Sequence, residues 1–179
     1  GKLKKLFLLA SLLVSACHGQ DRIRDFIDEN LPPSQADMVA KFVQLEQEID
    51  AASKKARDTG NSIDLDEVKG KGQDLNKETV EKLVQPLKDW IGVCEQIRVN
   101  EADEFSAFIK CPVGIRNTLV FNAKSSDPKL KQVLAGLGKG DIVRFSAFQP
   151  KPSPGMVIVF HFTLSKIEKL KNVSELKGK

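Results

Sequence analysis

Asn117-Thr-Leu-Val-Phe-Asn-Ala-Lys124, Asp127-Pro-Lys-Leu-Lys-Gln-Val-Leu-Ala-Gly-Leu137 and Asp141-Ile-Val-Arg-Phe-Ser-Ala147 follow one another within about thirty residues. In the outer two pieces apolar and polar side chains alternate, the period-2 pattern of a strand with one buried face. The middle piece is amphipathic at helical spacing, and Gly138 and Gly140 close it. Upstream, the apolar period changes from 3.6 to 2 at Trp90. Strands are expected at 90–99, 104–111, 117–124, 141–149 and 156–167, so the order is β-β-β-α-β-β.

A lone helix between the third and fourth of five strands is the arrangement of the OB-fold, a Greek-key barrel. Trp90-Ile-Gly92-Val, Asn117-Thr-Leu-Val-Phe121 and Leu137-Gly-Lys-Gly-Asp-Ile-Val-Arg-Phe-Ser146 resemble the strands of small OB-fold domains in exported bacterial proteins. Some of those domains are likened to the tRNA anticodon-binding type. The resemblance covers roughly residues 88–170 and implies a fold without an assigned activity. The expected class is α+β: N-terminal helices, then a five-stranded OB-fold-like barrel over 89–170 and a tail over 171–179.

Residues 21–88 read as a helical region. Ile23, Phe26, Ile27 and Leu31 recur at helical spacing until Pro32-Pro33 stop them. Ser34 is the expected N-cap of a second helix, with Asp37 completing a weak capping box. Met38, Phe42, Leu45, Ile49, Ala52 and Ala56 then form a heptad seam, ended by Gly60. Such a seam packs inside the chain or against another copy or partner. The second option would make the protein a coiled-coil, oligomerising structural lipoprotein. Residues 59–75 are polar and glycine-rich and predict a loop. Asn76 is expected to cap a further helix bearing Val80, Leu83, Val84 and Leu87 on one face, which Pro86 ends.

The chain opens with Lys2, Lys4 and Lys5, an apolar core over 6–14, and Val14-Ser15-Ala16-Cys17. An apolar run this short does not span a bilayer, which takes about 20 residues; its flanks are those of a cleaved export signal. The last four residues resemble the lipobox of bacterial lipoprotein signals, with valine where leucine is more frequent. The resemblance implies a signal peptide over 1–16 and a mature chain that starts at lipidated Cys17, with a tether over 17–20. Cleavage after Ala16 that leaves Cys17 unmodified is the alternative. In lipoprotein sorting of this kind, His18 in place of aspartate implies the periplasmic side of the outer membrane.

The full chain holds 28 Lys+Arg against 24 Asp+Glu, but three of those lysines lie in the leader, so residues 17–179 carry only +1. The basic balance therefore belongs to targeting and argues little for nucleic acid. Residues 18–88 are net −4 and residues 89–179 net +5, a mild asymmetry of a solvated, mixed-sign surface.

Catalytic chemistry finds no constellation. The two histidines, His18 and His161, fall in the tether and on a strand, where His161 points away from Phe160 and Phe162. No Cys/His cluster has metal-ligand spacing, no nucleophile sits in a recognisable elbow, and Gly70-Lys-Gly72 lacks the residues of a phosphate loop. The carboxylates Asp64, Asp66 and Glu67, and Glu101, Asp103 and Glu104, read as turn solvation. No enzyme activity, cofactor or metal is expected.

An OB barrel offers strands two and three to oligonucleotides or oligosaccharides. Alternation turns Ala107, Ile109, Leu119, Phe121 and Ala123 inward. It leaves Ser106, Phe108, Lys110, Thr118, Val120, Asn122 and Lys124 outward, with Arg98, Arg116 and Arg144 as possible rim cations. Phe108 beside Lys110 is the one candidate for stacking, fewer aromatics than single-strand binders present. Covering of Phe108 by the N-terminal helices is the expected alternative. A hairpin turning near Ala102 sets Cys94 across from Cys111, as a disulfide would need. The same register puts Gln96 and Arg98 on the inward face, which a bulge in strand one would correct while moving the cysteines apart. The expected function is a lipid-anchored, non-catalytic adaptor whose partner is another envelope protein. The alternative is an OB-fold binder of single-stranded nucleic acid or oligosaccharide.

Overall fold

The computed structural model describes residues 19–100, 102–149 and 159–178, so the segment expected as a signal peptide, with Cys17 and His18, lies outside it. It is an α+β structure: helices precede a five-stranded sheet that closes on itself. Helix α1 covers 19–30, so the expected tether is already helical from Gly19. The proline pair ends it as anticipated.

Helix α2, Pro33–Thr59, begins on Pro33 behind an extended Pro32, and Gly60 at φ 72° closes it, with its N–H on the Ala56 carbonyl. Ser34 is not its cap. The proline pair sets the helix start two residues earlier, and the Ser34 hydroxyl instead accepts from the Trp90 indole N–H at 3.2 Å.

The predicted loop over 59–75 is a correction. Residues Ile63–Lys82 form one helix, α3, and Asn76 lies inside it, not at its start. Gly70 and Gly72 each cost about 1 kcal/mol relative to alanine in a helix. Tertiary packing outweighs that: Val68, Thr79 and Leu83 are buried and Leu75 joins the main apolar cluster. These residues form the stripe that meets the α2 seam, where Met38, Phe42 and Ala52 are buried. The heptad seam is thus used within the chain.

A ring of four charges ties the pair of helices. Lys41 binds Asp37 and Glu78, and Lys82 binds the same two carboxylates, at 2.6 to 3.6 Å. Hydrogen bonding from Lys82 holds the Asp37 carboxyl below its ordinary range, and hydrogen bonding from Lys41 does the same for Glu78. The Lys41 ammonium is raised, first by its hydrogen bond to Glu78. Depressed carboxylates stabilise the fold above their unfolded pKa and cease to as pH falls through the folded value. The raised lysine acts in reverse, losing its contribution only in strong alkali. Thermal stability should therefore fall below about pH 4, and an Asp37→Asn/Glu78→Gln chain should show a flatter acid limb in a pH series of melting curves.

The strands are β1 (Leu87–Val99), β2 (Phe105–Pro112), β3 (Thr118–Ser125), β4 (Asp141–Phe148) and β5 (Val159–Asn172). Between β3 and β4 lies α4, Pro128–Ala135, capped by the Asp127 side chain on the Lys129 N–H. A short α5, Val173–Leu176, occupies the expected tail. The strand order is β1-β2-β3-β5-β4, with β4 returning to β1; β3 and β5 run parallel and the other pairs antiparallel. Strand β1 serves two neighbours, β4 with its first half and β2 with its second, and register shifts at Leu87/Trp90 and Cys94/Gln96 bend it between them.

Phe121 fills the centre of the interior. The rings of Trp90, Phe145, Phe160 and Phe162 surround it at 5.2 to 5.9 Å between centroids. Met38, Phe42 and Leu83 from the helical pair, and Leu134 with Leu130 from α4, belong to the same cluster. Helix α1 packs elsewhere: Ile27 meets Ile91 and Ile142 on the outer surface of β1 and β4.

Both remaining cysteines are free and buried. The register shift after Cys94 sets it opposite Ile109, so the disulfide suggested by simple alternation is not formed. A Cβ on Gly92 would lie 2.9 Å from the Cys111 sulfur and 2.4 Å from Ile109, which places glycine, not Cys94, beside Cys111. Burial pushes the Cys94 thiol up to about 11 and the Cys111 thiol higher still, so neither is a reactive thiolate.

Candidate functional site

Register assembles the outer surface of β1, β2, β3 and β5 into a row. Gln96 lies opposite Phe108, Phe108 opposite Asn122, and Asn122 opposite His161. One step along, Arg98 pairs with Ser106 and Ser106 with Lys124. Outward alternation on β2 and β3 thus puts Phe108, Asn122 and Lys124 together, and the bulge in β1 turns Arg98 to the same side.

Phe108 is half-buried and belongs to neither apolar cluster. It shares no apolar cluster with the N-terminal helices; the Arg98 guanidinium stands over the ring, 5.4 Å from its centroid, a cation–π contact. Asn122 is 7% exposed, and its Oδ1 has no hydrogen-bond partner among the described residues. An orphaned buried acceptor costs about 1–3 kcal/mol unless something donates to it. Lys124 reaches Glu104 at 3.8 Å. The exposed His161 closes the row on β5.

The other candidates divide. Lys110 pairs with Glu95 at 3.6 Å and lines, with Thr118, a groove beside α1. Arg116 leaves the face altogether, making a two-pronged contact with Asp50 on α2. The buried Glu46, one turn earlier, accepts the N–H groups of Ile115 and Arg116 at 2.8 and 2.7 Å. Arg116 therefore helps clasp the β2–β3 loop to α2. Hydrogen bonding from Arg116 in turn holds the Asp50 carboxyl below its ordinary range. Arg144, also expected at the rim, sits on β4 and binds Glu168 of β5 at 3.1 Å. Strand β1 separates it from β2, so it cannot rim the β2–β3 surface.

Gln96 and His161 are the residues that sequence reasoning missed as members of the row. Finding them required both the bulge in β1 and the parallel pairing of β3 with β5.

Asp141 is a further buried carboxylate. Burial pushes its carboxyl up, but donation from Asn172, the Gly138 N–H and Lys169 brings it below the ordinary range. Those partners join the start of β4 to the end of β5, a structural role. Among the described residues no group of three or more His, Cys, Asp or Glu side chains is placed to hold a metal. No described helix is long and apolar enough to cross a membrane.

No family model and no curated protein matches this chain.

Proposed function

We propose that the protein is an exported, lipid-anchored, non-catalytic binding module of the bacterial cell envelope. Its closed sheet is read as an OB-fold, and it docks another envelope protein on the outer surface of β1, β2, β3 and β5. The observation that carries the reading is the buried Asn122 Oδ1 between Phe108 and His161, which has no hydrogen-bond partner among the described residues. A partner's N–H or O–H would satisfy that acceptor, and Phe108 would supply the apolar contact beside it. The strand order and the single helix between β3 and β4 support the OB-fold. The leader and lipobox support the anchor, which would raise the effective concentration of the module towards partners on the same membrane. The interior is packed by Phe121 and its neighbours, which supports a ligand site outside it.

The test is affinity capture from solubilised envelope membranes. A defined partner should be recovered with the parent chain and with a Val84→Asp control, and lost with Phe108→Asp and with Asn122→Leu. Equal recovery with all four would refute docking on this face. The stacked Arg98–Phe108 pair favours one second reading, binding of a single-stranded nucleic acid or oligosaccharide. That reading requires a salt-sensitive shift on titration with short oligomers, and a flat titration removes it.

A further inference from the structure

A groove of about 710 Å³ runs between α1 and the outer surface of the strands. Val93 of β1, Pro112 of β2 and Ile115 of the following loop form its floor. Ile23 and Ile27 of α1 and Val43 of α2 form its walls. The volume is that of a small-ligand site. Ile115 is 59% exposed although its neighbours in the groove are apolar. The ionic groups along the rim cancel: Arg24 binds Asp28 at 3.0 Å, Lys110 binds Glu95 at 3.6 Å, and Asp21 and Lys177 add one charge of each sign. A charged occupant would gain little from such a rim and would lose its hydration. The complementary occupant is neutral and apolar.

Two further lining residues, Gln20 and Asp21, lie in the first turn of α1. Cys17 precedes Gln20 by three residues, which even fully extended span at most about 10 Å. A hydrocarbon chain attached to Cys17 therefore starts within reach of the groove.

We propose that this groove shelters one acyl chain carried by Cys17 while the protein is away from a bilayer. The inference rests on the lipidation set out above. The chain lies along Ile23 and Ile27, covers Val93 and Ile115, and leaves for the membrane when one is met, because the bilayer offers a larger apolar phase.

The experiment is carbene footprinting, in detergent-free solution, with a water-soluble diazirine. It compares the chain produced in a bacterium with an envelope against its Cys17→Ser variant, after mass spectrometry has established what Cys17 bears. With Cys17 acylated, labelling at Ile115 should drop several-fold relative to Cys17→Ser. Labelling at Val99, which is 65% exposed and outside the groove, should stay equal. An Ile115→Asp chain, acylated but with a charge in the groove, should label at Val93 as strongly as Cys17→Ser does. Unchanged labelling at Ile115 on an acylated chain overturns the proposal and leaves the anchor standing. Loss of labelling at Ile115 and Val99 together means burial by self-association, and likewise overturns it. A mass without lipid removes the anchor and this inference together.

Discussion

A Gln35→Ala chain should lose about 2–5 kcal/mol of unfolding free energy, because the substitution orphans both backbone groups of one buried residue. Gln35 is 0% exposed; its Nε2 donates to the Ile91 carbonyl and its Oε1 accepts from the Ile91 N–H, each at 2.7 Å. Ile91 lies in β1 just past the first register shift, where the strand takes up its pairing with β4. The side chain of α2 therefore completes the hydrogen bonding of β1 at the point where helix meets sheet. Urea unfolding measures the loss, and amide exchange at Ile91 localises it: protection should fall there first. Ser34→Ala is the comparison. It removes only the hydroxyl that accepts from Trp90, so it should cost about 1 kcal/mol. A Gln35→Ala loss no larger than that of Ser34→Ala would mean that α2 is not held to the sheet by this side chain.

The same joint explains what could and could not be read along the chain. Strands β2, β3 and β4 were legible because each buries one face, so Ala107 and Ile109, or Phe121 and Ala123, recur every second residue. The closure of the sheet was not in that pattern, since the parallel pairing of β3 with β5 is a relation between segments far apart. Helix α3 was obscured by Gly70 and Gly72, whose low helix propensity dominates a local reading. Its Val68, Leu75, Thr79 and Leu83 stripe becomes meaningful only against Met38 and Phe42 of α2. The candidate site divided for a similar reason. Phe108, Asn122 and Lys124 share strand parity and came together, whereas the destinations of Arg116 and Arg144 depended on carboxylates in other elements, Asp50 and Glu168. One local sign was present: Glu46 and Asp50 stand four residues apart beside an apolar seam, a pair of acids positioned for a distant cation. The cysteines stand two positions out of line, one from the hairpin register and one from the extra residue of the bulge, and no alternation rule locates either.

The larger loss is expected from Phe121→Ala, about 3–5 kcal/mol, or a melting temperature lower by roughly 6–20 °C for a chain of this size. Phe121 has no exposed surface, and four aromatic rings converge on it from β1, β4 and β5. Its removal leaves a void that those rings, fixed to three strands, can close only by moving the strands. Because Met38, Phe42 and Leu83 belong to the same cluster, the helical pair should melt with the sheet in one transition, seen together by far-UV circular dichroism and Trp90 fluorescence. Phe108→Ala, on the outer surface, should cost only about 1 kcal/mol, chiefly the Arg98 contact, yet abolish partner capture. The two phenylalanines thus separate packing from docking. A Phe121→Ala chain as stable as the parent would mean that the interior is loosely filled and could itself admit a ligand. The outer row would then lose its claim as the site.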